Sequence, residues 1–125
     1  MQHPILGELT FDEGIWSGKI DQAGAAVGFA VSDNMSGPDA QQLQRLLRRL
    51  ETFDELKGMT FDFIDHHLRD DPDHSSIRFT IRSLDFLWPK QADYFMVWLD
   101  LEGDEYGAWK VEFVDGQPKY LSRDD

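Results

Sequence analysis

The stretch Pro38-Asp39-Ala40-Gln41-Gln42-Leu43-Gln44-Arg45-Leu46-Leu47-Arg48-Arg49-Leu50 decides the fold class, because its leucines recur at helical spacing. Leu43, Leu46, Leu47 and Leu50 fall three and four residues apart and make one apolar stripe, with Arg45, Arg48 and Arg49 on the opposite side. Pro38 suits the first helical position, where its missing N–H has no intrahelical partner. Phe53 and Leu56 extend the stripe until Gly58 interrupts it. A second helix is expected over residues 60–69, where Phe63, Ile64, His67 and Leu68 share a face. Asp70-Asp71-Pro72-Asp73 stops it, since the residue before a proline is biased out of the helical region.

Both flanks of this helical block read as strands. Towards the N-terminus, residues 5–11 place Ile5, Leu9 and Phe11 on one face, and Asp12-Glu13-Gly14 turns the chain into a strand over 15–20. The run Ala25-Ala26-Val27-Gly28-Phe29-Ala30-Val31 is short and apolar and is expected to be a buried third strand. Towards the C-terminus, Ile77, Phe79 and Ile81 alternate with Arg78, Thr80 and Arg82, and Leu84, Phe86 and Trp88 carry the alternation to Pro89. A strand over 94–101 leads through Glu102-Gly103-Asp104-Glu105 to Trp109, Val111 and Phe113, and the Asp115-Gly116 turn returns the chain through Lys119-Tyr120-Leu121. The order βββ-αα-ββββ, with its helices segregated, predicts an α+β fold: a mainly antiparallel sheet with about two helices on one face, in a single domain spanning 1–125.

Composition narrows the function classes. The chain holds 24 acidic and 12 basic residues, a net charge of −12, which favours solubility and opposes binding to phosphate backbones or anionic lipid. Neither nucleic acid nor membrane is expected as a partner, and the N-terminus has neither the basic start nor the apolar run of a signal peptide. With no cysteine, thiolate metal sites and cysteine nucleophiles are excluded, and a cytoplasmic setting is the default.

The densest concentration of chemistry runs from Asp62 to His74, with three of the four histidines among five aspartates. On a helix Asp62, His66 and Asp70 share a face and are speculative metal candidates, through imidazole nitrogen and carboxylate oxygen. A solvated helical face is the commoner use of such a run. No serine sits in a nucleophile elbow, and Gly24 and Gly28 lack the Gly-Lys-Ser/Thr ending of a phosphate loop. They read as a turn and a close-packed strand position, and no cofactor is implied. Trp88, Trp98, Trp109, Tyr94, Phe95 and Phe113 make an aromatic C-terminal sheet expected to lie mostly in the core. Arg45, Arg48 and Arg49 read as a solvent face, with Arg48 placed to pair with Glu51.

The segments His3-Pro4-Ile5-Leu6-Gly7-Glu8-Leu9 and Trp16-Ser17-Gly18-Lys19-Ile20 resemble the start of bacterial domain families of unknown function, in which a Gly-Glu-apolar strand enters a Trp-x-Gly hairpin. The ending Trp109-Lys110-Val111-Glu112-Phe113-Val114-Asp115-Gly116-Gln117-Pro118 is similar to their last hairpin. The resemblance lends no catalytic residues; some small acidic bacterial domains of this type look like immunity or antitoxin proteins. The sequence therefore predicts a non-catalytic protein-interaction domain with a basic protein partner, or a homodimer. A metal-dependent hydrolase or a small-ligand-binding protein is the alternative.

Overall fold

The computed structural model describes residues 1–22, 24–71, 76–87 and 93–124. Trp88 and Pro89, and the helix stop expected at Pro72-Asp73, lie outside them. The described elements are β1 (Gln2–His3), β2 (Gly7–Glu8), β3 (Thr10–Asp12), β4 (Ile15–Gln22), β5 (Ala25–Ser32), α1 (Ala40–Glu51), α2 (Phe53–Leu68), a 3-10 turn (Ser76–Arg78), β6 (Phe79–Asp85), β7 (Phe95–Leu101), β8 (Ala108–Val114) and β9 (Gln117–Asp124). Strands β3 to β9 form one seven-stranded sheet in sequence order, and β1 and β2 pair separately. Every neighbouring pair in the large sheet is antiparallel except β5 and β6, which run parallel because the chain crosses between them through both helices. The expected α+β class holds and the element order roughly so, except that the strand expected over 5–11 is split, leaving five strands ahead of the helices rather than three; the one helical crossover makes the one parallel junction among the described strands.

Strand register sorts the sheet into rows. Gly18, Phe29, Leu84, Val97, Val111 and Leu121 lie across six strands in one row on the helix-covered face. Beside it, Phe86 stacks on Phe95 at 4.9 Å between centroids, and Phe95 on Phe113 at 4.6 Å. Leu46 and Leu50 from α1, with Phe53, Leu56 and Ile64 from α2, close over these rows and form one core cluster with them. Among the described residues, no helix is long and apolar enough to cross a membrane.

Three local expectations change. Pro38 precedes the helix rather than opening it: Asp39 is the N-cap, its carboxylate accepting from the Gln42 amide at 3.0 Å. Gly58 does not interrupt the second helix, which begins at Phe53 and runs through it. The break falls instead at Thr52, which turns back to bond the Arg48 carbonyl through both its amide and its hydroxyl. The signal for that break is a charge reversal. Arg48 and Arg49 sit at the C-terminal end of α1 and Asp54 and Glu55 in the first turn of α2, each pair matching its helix dipole.

The third change concerns faces. Ile5 and Phe11 are exposed, and Leu6 and Leu9 supply the buried contacts of the N-terminal segment. Ile77 is in the 3-10 turn at 90% exposure rather than in a strand. Along β6 and the residue after it, the inward residues switch from odd to even numbers, from Phe79 and Ile81 to Leu84 and then Phe86. That switch requires one extra residue, and the register slips between Ile81 and Ser83.

Gly18 shows how tight the covered face is. A Cβ there would lie 2.7 Å from the Phe29 ring and 2.8 Å from the Glu8 carbonyl oxygen, so β2 crosses where a side chain would stand. Gly18→Ala is expected to lose about 2 kcal/mol, the usual penalty of overpacking. It should appear as a lower urea midpoint at unchanged slope; a midpoint equal to that of the parent chain would contradict this packing.

Candidate functional site

The candidate metal residues do not converge. Asp62 and His66 lie exposed on the outer side of α2, and Asp70 lies exposed beyond its C-cap, Arg69. Among the described residues no three histidine or acidic side chains are placed to share a metal ion. His67 instead packs its ring on Phe63 at 4.2 Å.

Arg49 leaves the expected solvent face. Its guanidinium binds the Asp93 carboxylate at 2.9 Å and lies over the Phe95 ring at 4.9 Å, with its side chain only 16% exposed. The Asp93 carbonyl accepts from the Gly116 amide at 3.1 Å, so Arg49 ties the end of α1 to the β8–β9 turn. Among the described residues Arg48 and Glu51 form no ion pair.

In an open sheet the carboxyl ends of parallel strands are a favoured ligand crevice. Here a buried glutamine that the sequence pattern did not single out fills it. Gln42 is 2% exposed; its Oε1 accepts from the Ser32 amide at 2.6 Å, and its Nε2 donates to Ser32 Oγ at 3.3 Å. Gly24 and Gly28 behave as expected. Gly24 turns β4 into β5 at positive φ with its amide on Asp21, and a Cβ on Gly28 would stand 3.2 Å from Ser83 Cβ.

No described element covers the other face of the sheet. One row there runs Lys19, Gly28, Ser83, Trp98, Lys110 and Ser122, and the next runs Ser17, Ala30, Asp85, Met96, Glu112 and Tyr120. Trp109, Phe95 and Phe113 are buried as expected, but Trp98 and Tyr94 are only partly buried. The Trp98 indole donates to Asp85 at 3.4 Å and lies 5.3 Å from the Lys110 ammonium; the Tyr94 hydroxyl donates to Glu112 at 2.8 Å.

Among the described residues, the Tyr94 phenol and the Asp104–Arg123 pair stand apart as titrating groups through such contacts. Burial, and the hydrogen bond to anionic Glu112, push the Tyr94 phenol up to about 12. The Asp104 carboxylate is held far below the usual carboxylate range, first by its bond with Arg123 and then by the Trp109 indole. Both are fixed in bonds that tie strands and turns together, Asp104 closing the loop between β7 and β8 onto β9. No model of a known protein family matches the chain, and neither a curated protein nor a solved structure matches it.

A structural role for Tyr94 has a definite pH signature. In the unfolded chain the phenol ionises near 10, so between pH 10 and 12 the folded state holds the extra proton and stability falls as pH rises. Tyr94→Phe is expected to flatten that part of the stability curve, measured by urea unfolding from pH 9 to 11.5. An unchanged slope would show that the phenol is not held in this way.

Proposed function

We propose that this chain is a non-catalytic cytoplasmic protein-interaction domain of immunity or antitoxin type, which covers a basic site on a partner protein. The observation that carries the reading is the outer side of α2. Asp54, Glu55 and Asp62 lie exposed along it, Asp65 continues the same side, and Asp70 follows just past its end. A 16-residue helix is about 24 Å long, enough to lay a mainly acidic side, with Arg69 exposed at its C-cap, along a partner's cleft. The whole molecule adds to that field with its charge of −12. A surface of this kind speeds encounter with a cationic partner, suppresses encounter with anionic ones, and makes binding sensitive to salt. The resemblance of residues 3–9, 16–20 and 109–118 to small acidic bacterial domains supports the same assignment.

The test compares the parent chain with a Glu55→Gln, Asp62→Asn, Asp70→Asn variant, both immobilised and exposed to extract of the native host. The parent is expected to retain a basic protein at low ionic strength and release it as salt screens the surface. The variant is expected to retain little of it while melting at a similar temperature. Recovery of no basic protein at low salt, or equal recovery by a folded variant, would overturn the assignment.

A further inference from the structure

The sheet narrows sharply where its two halves join. β5 begins at Ala25 and β6 at Phe79, yet they pair only through Gly28–Ser83, Phe29–Leu84 and Ala30–Asp85. Ahead of those pairs, Ala25 to Val27 keep β4 as their partner and Phe79 to Ile81 keep β7. The bulge between Ile81 and Ser83 lies where β6 parts from β5, and a bulge bends its strand. A third inward row is therefore interrupted: Ile20 pairs with Val27 on one side of the gap, and on the other Ile81 pairs with Leu99, which pairs in turn with Trp109.

A cleft of about 180 Å³ fills the interruption. Its strand walls include Val27, Phe79 and Ile81, and α2 contributes Phe53, Lys57 and Phe61 at intervals of four residues, one helical face. Lys57 is half-buried and is the one charged residue in the lining. Among the described residues it makes no ion pair, in a chain where acids outnumber bases two to one.

We propose that this cleft binds a small monocarboxylate with an apolar body. The apolar walls bury one ring or one short branched chain, since a cavity of ~150 Å³ is enough to take up benzene. The Lys57 ammonium supplies a charge-assisted bond to the carboxylate, and partial exclusion of water strengthens it. Lysine suits a position flanked by Phe53 and Phe61 in the lining, because a methylene stem can lie along apolar surface while its charged head stays available. The inference is independent of the partner proposed for the outer side of α2, because its walls face the sheet.

The test titrates phenylacetate and its uncharged analogue phenylacetamide into ¹⁵N-labelled full-length chain. Phenylacetate is expected to move the amide signals of Val27, Phe53, Phe79 and Ile81, and phenylacetamide to bind about tenfold more weakly, the loss expected on removing a bond to a charged group. Lys57→Met should erase that preference while keeping residual apolar binding. Ala25→Trp, at an exposed lining position, should block both ligands in a chain that still folds. No shifts at these residues, equal affinity for both ligands, or a preference that survives Lys57→Met would overturn the proposal.

Discussion

The structure depends on one narrow junction, the parallel pairing of β5 with β6 over Gly28–Ala30 and Ser83–Asp85. On either side of it the chain is a set of hairpin-connected antiparallel strands, which need only short turns and form from local contacts. Among the strand pairs of the large sheet the junction alone joins segments far apart in sequence, with both helices lying between them. Its tolerances explain residues that are otherwise unremarked. A side chain on Gly28 would press on Ser83, and without the slip after Ile81 Leu84 would face solvent, out of line with Phe29 and Val97. Gln42 then seals the carboxyl end of the junction by bonding the backbone and side chain of Ser32.

The two helices act as one lid made of unlike halves. The buried residues of α1 are Leu46 and Leu50, with Gln42 as a fully bonded polar plug, whereas α2 buries Phe53, Leu56, Thr60 and Ile64. Thr60 is tolerated in that apolar line because its hydroxyl returns to the Leu56 carbonyl at 2.8 Å. Arg49 clips the end of α1 to the sheet by a pair that is mostly shielded on the arginine side and stacked on aromatic rings. Such a pair orders the region more than an exposed ion pair does.

Much of this was legible in the sequence because most strands obey a strict period of two. The alternations in β7 and β8, the Asp115-Gly116 turn and the leucine stripe of α1 each follow from local pattern alone. The misread places are those where tertiary structure overrides a local rule. Gly58 stays helical because Leu56, Thr60 and Ile64 hold the helix onto the sheet on either side of it, outweighing the roughly 1 kcal/mol that glycine costs there. Ile77 fits the strand period, but the strand starts two residues later. The parity change within β6 was visible, since Ile81 and Leu84 are three residues apart, but a continuous alternation hides it. Nothing local marks Gln42 as buried or Arg49 as paired, because their partners, Ser32 and Asp93, lie on distant segments. The candidate cleft was illegible for the same reason, since its walls come from the start of β5, the first half of α2 and the start of β6.

Helix α2 concentrates what is distinctive about the molecule, because its three sides meet three different environments. Leu56, Thr60 and Ile64 are fully buried, Phe53, Lys57 and Phe61 border the gap between the half-sheets, and Glu55, Asp62 and His66 face water. A helix serving only as a lid needs one apolar stripe and can carry any mixture of charges outside it. Here a cation is set between two aromatic rings on one side, and acids predominate on the other. Surface electrostatics alone does not require that separation: a lysine among the outer acids would gain more attraction, through i, i+4 pairs, than one placed against apolar walls. The separation is intelligible if the two sides meet different partners, one cationic and large, the other anionic and small.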